Sequence, residues 1–194
     1  MVHIGWGFDS RFERVAERNG RIEWYDLDLP EVIELRRKLF GDERKRHHLL
    51  GCSVLEEAWM DALSARHQPP SGTQSTRRPF LFLAEVVLVY FDGAQVKRLV
   101  LALREHFPGA ELVFDAFSPF LSLANNFRVA LTKVGARSHW ALKHGQDLEK
   151  WSDGIRLLDE RFPYQYPEPR LGRALAVRHN PFFARAIGVF HYQL

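Results

Sequence analysis

Apolar and polar positions fall into alternating strand-like and helix-like blocks from the first residue onward. MVHIGWGFDSR sets Val2 and Ile4 in an apolar run that ends in Gly5-x-Gly7, followed at once by Asp9 and Arg11, the pattern of a buried strand entering a tight turn. Residues 9–19 carry Phe12, Val15 and Ala16 at helical spacing, with Asn19-Gly20 as a closing cap. Ile22 and Trp24 alternate toward Asp26 and Asp28 before Pro30 ends the strand. In 31–41, Val32, Leu35 and Leu39 form one helical stripe that stops at Gly41. Residues 47–54 predict a short strand, and 56–66 a helix with Trp59 and Leu63 on one face.

A Pro-, Ser-, Thr- and Gly-rich stretch from His67 to Arg78 predicts a surface loop. Beyond it, 78–91 is a continuous apolar run, as a central parallel strand requires, broken by one acid, Glu85. Residues 92–109 predict a helix capped by Asp92, with Val96, Leu99, Val100 and Leu103 inward, and 111–119 a further strand. The rhythm breaks over 119–152: a helix, the irregular ARSHWALKHG and a short helix in QDLEKW form an insertion expected to act as a lid over the ligand crevice. Residues 155–162 and 186–194 read as two strands, separated by a Pro-rich turn and an Arg-rich helix-like segment. With no ordinary parallel crossover between them, they predict an antiparallel pair at the sheet edge. The expected fold is therefore α/β: a doubly wound, mostly parallel sheet in one domain spanning 1–194.

Composition adds limits rather than a function. At 194 residues and 46% hydrophobic, the chain can bury one sizeable core. Its 27 Lys+Arg stand against 24 Asp+Glu, and the charges are interspersed, so no nucleic-acid surface is expected; Arg44-Lys45-Arg46 with His47 and His48 reads as a solvated loop. One cysteine, Cys52, excludes an intrachain disulfide and a cysteine-pair metal site. The absence of a long apolar run or a leader pattern predicts a cytoplasmic protein without a membrane partner.

The candidate chemistry gathers at strand ends. Gly5 and Gly7 allow left-handed backbone and close approach of a nucleotide-like ligand, although Ser10 stands where G-x-G-x-x-G would have its third glycine. Asp28, 21 positions past Gly7, is spaced to accept hydrogen bonds from ribose hydroxyls. Glu85, alone in an apolar run, needs a partner or a ligand. No G-x-S-x-G, P-loop or H-E-x-x-H pattern occurs, and the scattered histidines do not make a metal set.

HIGWGFDSRFERV, WYDLDLPEVIELRRKLF, FLFLAEVVLVYF, GIRLLDERF and VFHYQL together resemble the leucine carboxyl methyltransferase family of S-adenosylmethionine-dependent enzymes, in the branch of tetracenomycin-type polyketide O-methyltransferases. The resemblance runs through nearly the whole chain, and the D-L-P-E-V-I-E-L-R-R block after G-x-G-x-D-x-R is its most specific part. It implies a seven-strand Rossmann-like methyltransferase sheet and S-adenosylmethionine as cofactor. Gly5, Gly7 and Asp9 would surround its methionine moiety, Asp28 its ribose, Cys52, Ser53 and Val54 its adenine, and Glu85 would lie beneath it; Tyr90 matches a tyrosine of the family.

Several positions depart from the family pattern. Trp6 replaces a small residue, Val86 a glycine, and Ser53 an aspartate. Family members usually carry a helical segment before the glycine turn. The chain is thus expected to be N-terminally truncated, with a short first strand that leaves neighbouring backbone groups unpaired. The implied partner is a small-molecule methyl acceptor. A carboxylate acceptor is already ionised at pH 7, whereas a phenol benefits from a base, for which Tyr90, His139 and His144 are candidates. Phe117, Phe120, Leu121, Phe127 and Trp140 would suit an aromatic acceptor or equally a packed lid. A truncated, inactive methyltransferase-like protein and a nicotinamide-dependent oxidoreductase remain the alternatives.

Overall fold

The computed structural model describes residues 1–16, 21–41, 43–67, 79–166 and 180–194. In chain order its elements are β1 (Val2–Ile4), a π-helical turn (Phe12–Ala16), β2 (Trp24–Asp28), α1 (Pro30–Phe40), β3 (His47–Gly51), α2 (Ala58–Arg66), β4 (Leu81–Ala84), a 3-10 turn (Leu88–Tyr90) and α3 (Gly93–His106). Then come β5 (Glu111–Phe117), α4 (Pro119–Thr132), 3-10 turns at Gly145–Trp151 and Pro163–Gln165 on either side of β6 (Arg156–Arg161), α5 (Pro181–Ala184) and β7 (Ile187–Gln193). The sheet has seven strands in the order β3-β2-β1-β4-β5-β7-β6. β1 pairs in parallel with β2 and β4, β2 in parallel with β3, and β6 runs antiparallel to β7, as the sequence predicts for the late strands. The Asn19-Gly20 cap, the loop after His67 and the Arg-rich segment before Asn180 lie outside the described residues. No described helix is long and apolar enough to cross a membrane.

The chain forms two compact units. The first comprises Met1–Glu85, Leu99–Leu112 and Leu194. β1 has only three residues, yet the ladder continues past both its ends: Met1 O accepts from Tyr25 N at 2.9 Å and Gly5 N donates to Leu27 O at 2.8 Å. The backbone groups of β2 beside the short strand are thus paired, contrary to the expectation. β2 buries four consecutive residues, Trp24 to Leu27, instead of alternating, as a strand covered on both faces does.

Three further expectations are corrected in this unit. In α1 the buried positions are Ile33 and Arg36, while Leu35 and Leu39 face outward at 47% and 61% exposure. An arginine can occupy the inward face because its guanidinium lies 4.7 Å from the Trp6 ring centre and its Nη1 donates to Gly41 O at 3.1 Å. His47 and His48 belong to β3, as the strand reading of 47–54 predicts, and not to the solvated loop read for the basic patch: His47 is wholly buried, and His48 stacks on Tyr25. Finally, the described part of the apolar run, 79–91, does not form one strand. β4 stops at Ala84 and the chain turns at Glu85 and Val86.

The second unit comprises Val86–Arg98 and Val113–Gln193. Phe114 stacks on Tyr192 with ring planes 4° apart, and Trp140 packs on Phe114 from the irregular stretch after α4. The Tyr192 hydroxyl donates to Gly145 O, and burial pushes its pKa upward. α4 starts at Ser118, whose side chain accepts from Leu121 N, with Pro119 at the first helical position. Within this unit Val86 has φ 55°, a left-handed conformation that crowds a β-branched side chain. Its N–H donates to Asp115 Oδ1 at 2.6 Å, which holds the turn in place.

Val86→Gly should relieve about 1–2 kcal/mol of left-handed strain against about 0.5–1 kcal/mol of extra chain entropy lost on folding. The half-exposed Val86 side chain gives up little packing. A higher urea midpoint is the expected result, and a lower one would show that the turn is not strained.

Candidate active site

The carboxyl ends of β3, β2, β1 and β4 form one edge of the first unit. Parallel register brings Gly5, which follows Ile4, beside Glu85, which follows Ala84, and sets Asp28 opposite Gly51. Backbone hydrogen bonds tie the loops together: Gly5 N to Leu27 O, and Cys52 N to Asp28 O at 3.0 Å. All eight residues that the sequence places around a cofactor, Gly5, Gly7, Asp9, Asp28, Cys52, Ser53, Val54 and Glu85, lie on this edge.

Gly5 and Gly7 both take positive φ, 63° and 59°. A Cβ built on Gly7 would meet no atom within 4 Å, so space as well as conformation is open there. Asp28 clamps the turn: Oδ2 accepts from Gly7 N at 2.8 Å and Oδ1 from Leu29 N at 2.8 Å. Each oxygen keeps a further lone pair, so the half-buried carboxylate can still accept from a diol. Asp26 cannot do this. It has no exposed surface, and its oxygens take Trp24 Nε1 and His47 Nε2, each at 2.6 Å.

Beside the turn lies a group whose role the sequence left open. The Arg11 guanidinium reaches Glu85 Oε2 at 2.5 Å, Asp9 Oδ2 at 3.1 Å and His3 Nε2 at 3.2 Å. This gives Glu85 the partner that an acid ending an apolar run needs, although its side chain is 54% exposed. Asp9 also holds Arg14 at 3.0 Å. The G-x-G-x-D-x-R spacing contained the signal for Arg11, but only the fold shows which acids it serves.

On the next loop, Val54 is buried and its carbonyl accepts from Trp59 Nε1, while Ser53 Oγ accepts from Leu55 N. Ser53 is engaged in shaping its own turn. Burial, and then Glu56, push the half-buried Cys52 thiol above its ordinary pKa. Trp6 does not crowd the open surface of the edge, because its side chain is buried and lies against Arg36.

Tyr90 and His139 belong to the second unit. Tyr90 ends a 3-10 turn and is 44% exposed; His139 is exposed, and its N–H donates to Val89 O at 2.8 Å, so the two stand on adjoining backbone. His144 precedes the Gly145–Trp151 turn, where its N–H donates to Asp147 Oδ2 at 3.0 Å. The aromatic residues of the insertion are not gathered into one wall: Trp140 is core, whereas Phe120 and Phe127 are 45% and 66% exposed.

Comparison with known proteins agrees with this arrangement. The family model described as leucine carboxyl methyltransferase matches residues 1–103. The chain is 29% identical over 160 residues to the tetracenomycin polyketide synthesis O-methyltransferase TcmP of Streptomyces glaucescens, covering 82% of this chain and 54% of that protein. It is 26% identical over 172 residues to the S-adenosyl-L-methionine-dependent methyltransferase dpfgK of Gibberella zeae, covering 84% and 54%. The chain thus spans about half the length of the curated relatives it matches. In fold it is similar to a DUF574 family protein from Streptomyces avermitilis, with TM-score 0.63 and 14% identity over 99% of this chain and 74% of that one. With the glycine turn and its acids inside a match to more than half of its length, the protein belongs to the leucine carboxyl methyltransferase family, whose cofactor is S-adenosylmethionine.

Proposed function

We propose that the chain is an S-adenosylmethionine-dependent O-methyltransferase that methylates a hydroxyl or carboxylate oxygen of a small molecule. The observation that carries this reading is the Asp28 carboxylate, fixed by Gly7 N and Leu29 N at the end of β2 beside an open glycine turn. An adenosyl cofactor fits that donor set. Asp28 has lone pairs left for ribose hydroxyls, Gly5 and Gly7 have no side chains to exclude the methionine part, and Cys52, Ser53 and Val54 form the adjoining loop for adenine. Asp9 and Glu85 supply negative charge for the cofactor's ammonium group. When bound, the cofactor supplies an electrophilic methyl group on a sulfonium.

The chain's own contribution is positioning, since an in-line displacement asks mainly that donor and acceptor be close, aligned and dry. In this reading, residues 119–152 belong to the same methyltransferase domain and recognise the acceptor. His139 or Tyr90 takes the proton of a hydroxyl acceptor; a carboxylate acceptor needs neither. The oxygen specificity is supported by the relative named as a polyketide O-methyltransferase.

Calorimetric titration should give binding of S-adenosylmethionine and not of NAD; the reverse would remove the methyltransferase reading. Asp28→Ala should weaken cofactor binding by about ten- to a hundredfold, as expected for the loss of a hydrogen bond to a charged group worth about 1.5–3 kcal/mol. Unchanged affinity in a folded variant would move the ribose contact away from Asp28. Methyl transfer assayed on a panel of phenols and carboxylic acids identifies the acceptor oxygen. His139→Ala and Tyr90→Phe should slow phenols and leave carboxylates nearly untouched.

A further inference from the structure

The guanidinium of Arg11 joins the exposed edge to a buried polar layer that the proposed chemistry does not use. One terminal nitrogen, Nη2, serves both Asp9 and Glu85, and the other, Nη1, bonds His3 Nε2. An arginine N–H can only donate, so His3 Nε2 must offer its lone pair, and the ring proton sits on Nδ1. That Nδ1 is buried, has no hydrogen-bond partner and faces Asp26 Oδ1 at 3.8 Å. The two oxygens of Asp26 are already occupied by Trp24 and His47.

We propose that Arg11 is a positioning residue whose orientation is locked by the neutral His3 ring, and that this lock holds Asp9 and Glu85 in the arrangement that receives the cofactor. The inference rests on the S-adenosylmethionine reading given above. Three N–H contacts in two directions fix the guanidinium plane, which a lysine, with a single point of charge, cannot reproduce. Protonating His3 would put a hydrogen on Nε2, remove the acceptor and set two cations 3.2 Å apart. The charged groups acting on His3 are Asp26 from β2, Arg11 and Asp9 from the glycine turn and Glu85 after β4; His47 and Arg36 act on Asp26 in turn. Burial outweighs the acids and holds the ring below its ordinary pKa. The lock is therefore closed at pH 7 and opens only on acidification below the ordinary imidazole value of about 6.5.

The wild-type affinity for S-adenosylmethionine should be level from pH 8 through about 6.5 and fall only at lower pH, once the depressed His3 pKa is passed, by up to about tenfold per pH unit, the limit for one competing proton. His3→Gln places an amide oxygen where Nε2 was and cannot titrate, so it should bind at pH 7.5 without the acid-side fall. His3→Phe, which offers no acceptor, and Arg11→Lys should each bind about tenfold more weakly at pH 7.5. A purely structural role for His3 would make Gln as damaging as Phe. An independent readout needs no ligand: 15N spectra of the apo protein, assigned against His3→Gln, should show the Nδ1–H tautomer at His3.

An Nε2–H tautomer, an acid-side fall retained in His3→Gln, a level wild-type profile, or full affinity in Arg11→Lys would each overturn the inference while leaving cofactor binding intact. A wild-type chain that binds no S-adenosylmethionine at any pH, with the Nδ1–H tautomer present, would instead overturn the functional reading and the positioning role built on it. Melting curves for each variant confirm that folded protein is being compared.

Discussion

A carboxylate with no exposed surface, Asp26, sets the terms for the first unit. An unpaired ion in such a place would cost several kcal/mol, so the sheet must deliver donors to it. Trp24 does so from two residues earlier on the same strand face. His47 does so from β3, where parallel register sets it opposite Trp24. A shift of β3 by one residue would turn His47 to the other face and leave the acid bare. The buried charge thus disfavours misregistered pairing of the two strands, and the stack of Phe12 on His47, with ring centres 3.9 Å apart, brings the π-helical turn down onto the same layer.

That layer and the ligand edge are two ends of one construction. Asp28 follows Asp26 on the same face of β2, but lies past the last buried position of the strand, so one acid is sealed and the other meets the glycine turn. Period-two geometry gives both carboxylates the same direction, and the strand's end gives them opposite environments. The glycine turn then inherits its shape from Asp28, and the acids beside it are tethered through Arg11.

Much of this was legible in the chain. The glycines, the acid 21 residues later, the helix inward at Val96, Leu99, Val100 and Leu103, and the antiparallel pair at the end follow from spacing alone. What failed did so for physical reasons. Hydrophobic periodicity assumes that arginine faces water, and α1 buries Arg36 against an indole while turning Leu35 and Leu39 outward. Periodicity also cannot mark where an apolar run stops being a strand, because the break at Glu85 and Val86 comes from a salt bridge and a left-handed residue rather than from polarity. The partners of Arg11 are separated from it by as many as 74 positions, a pairing that only three-dimensional register reveals.

The setting of Cys52 bears on how the molecule behaves in air. It is the chain's sole thiol, and burial with a nearby glutamate keeps it in the protonated form, which is the form that reacts slowly with peroxide and with other disulfides. Its backbone N–H donates to Asp28 O within the proposed adenine loop, so an oxidised sulfur there would add bulk and charge at the cofactor edge. Holding the sulfur as a thiol lowers the share of reactive thiolate at that edge and so slows its oxidation.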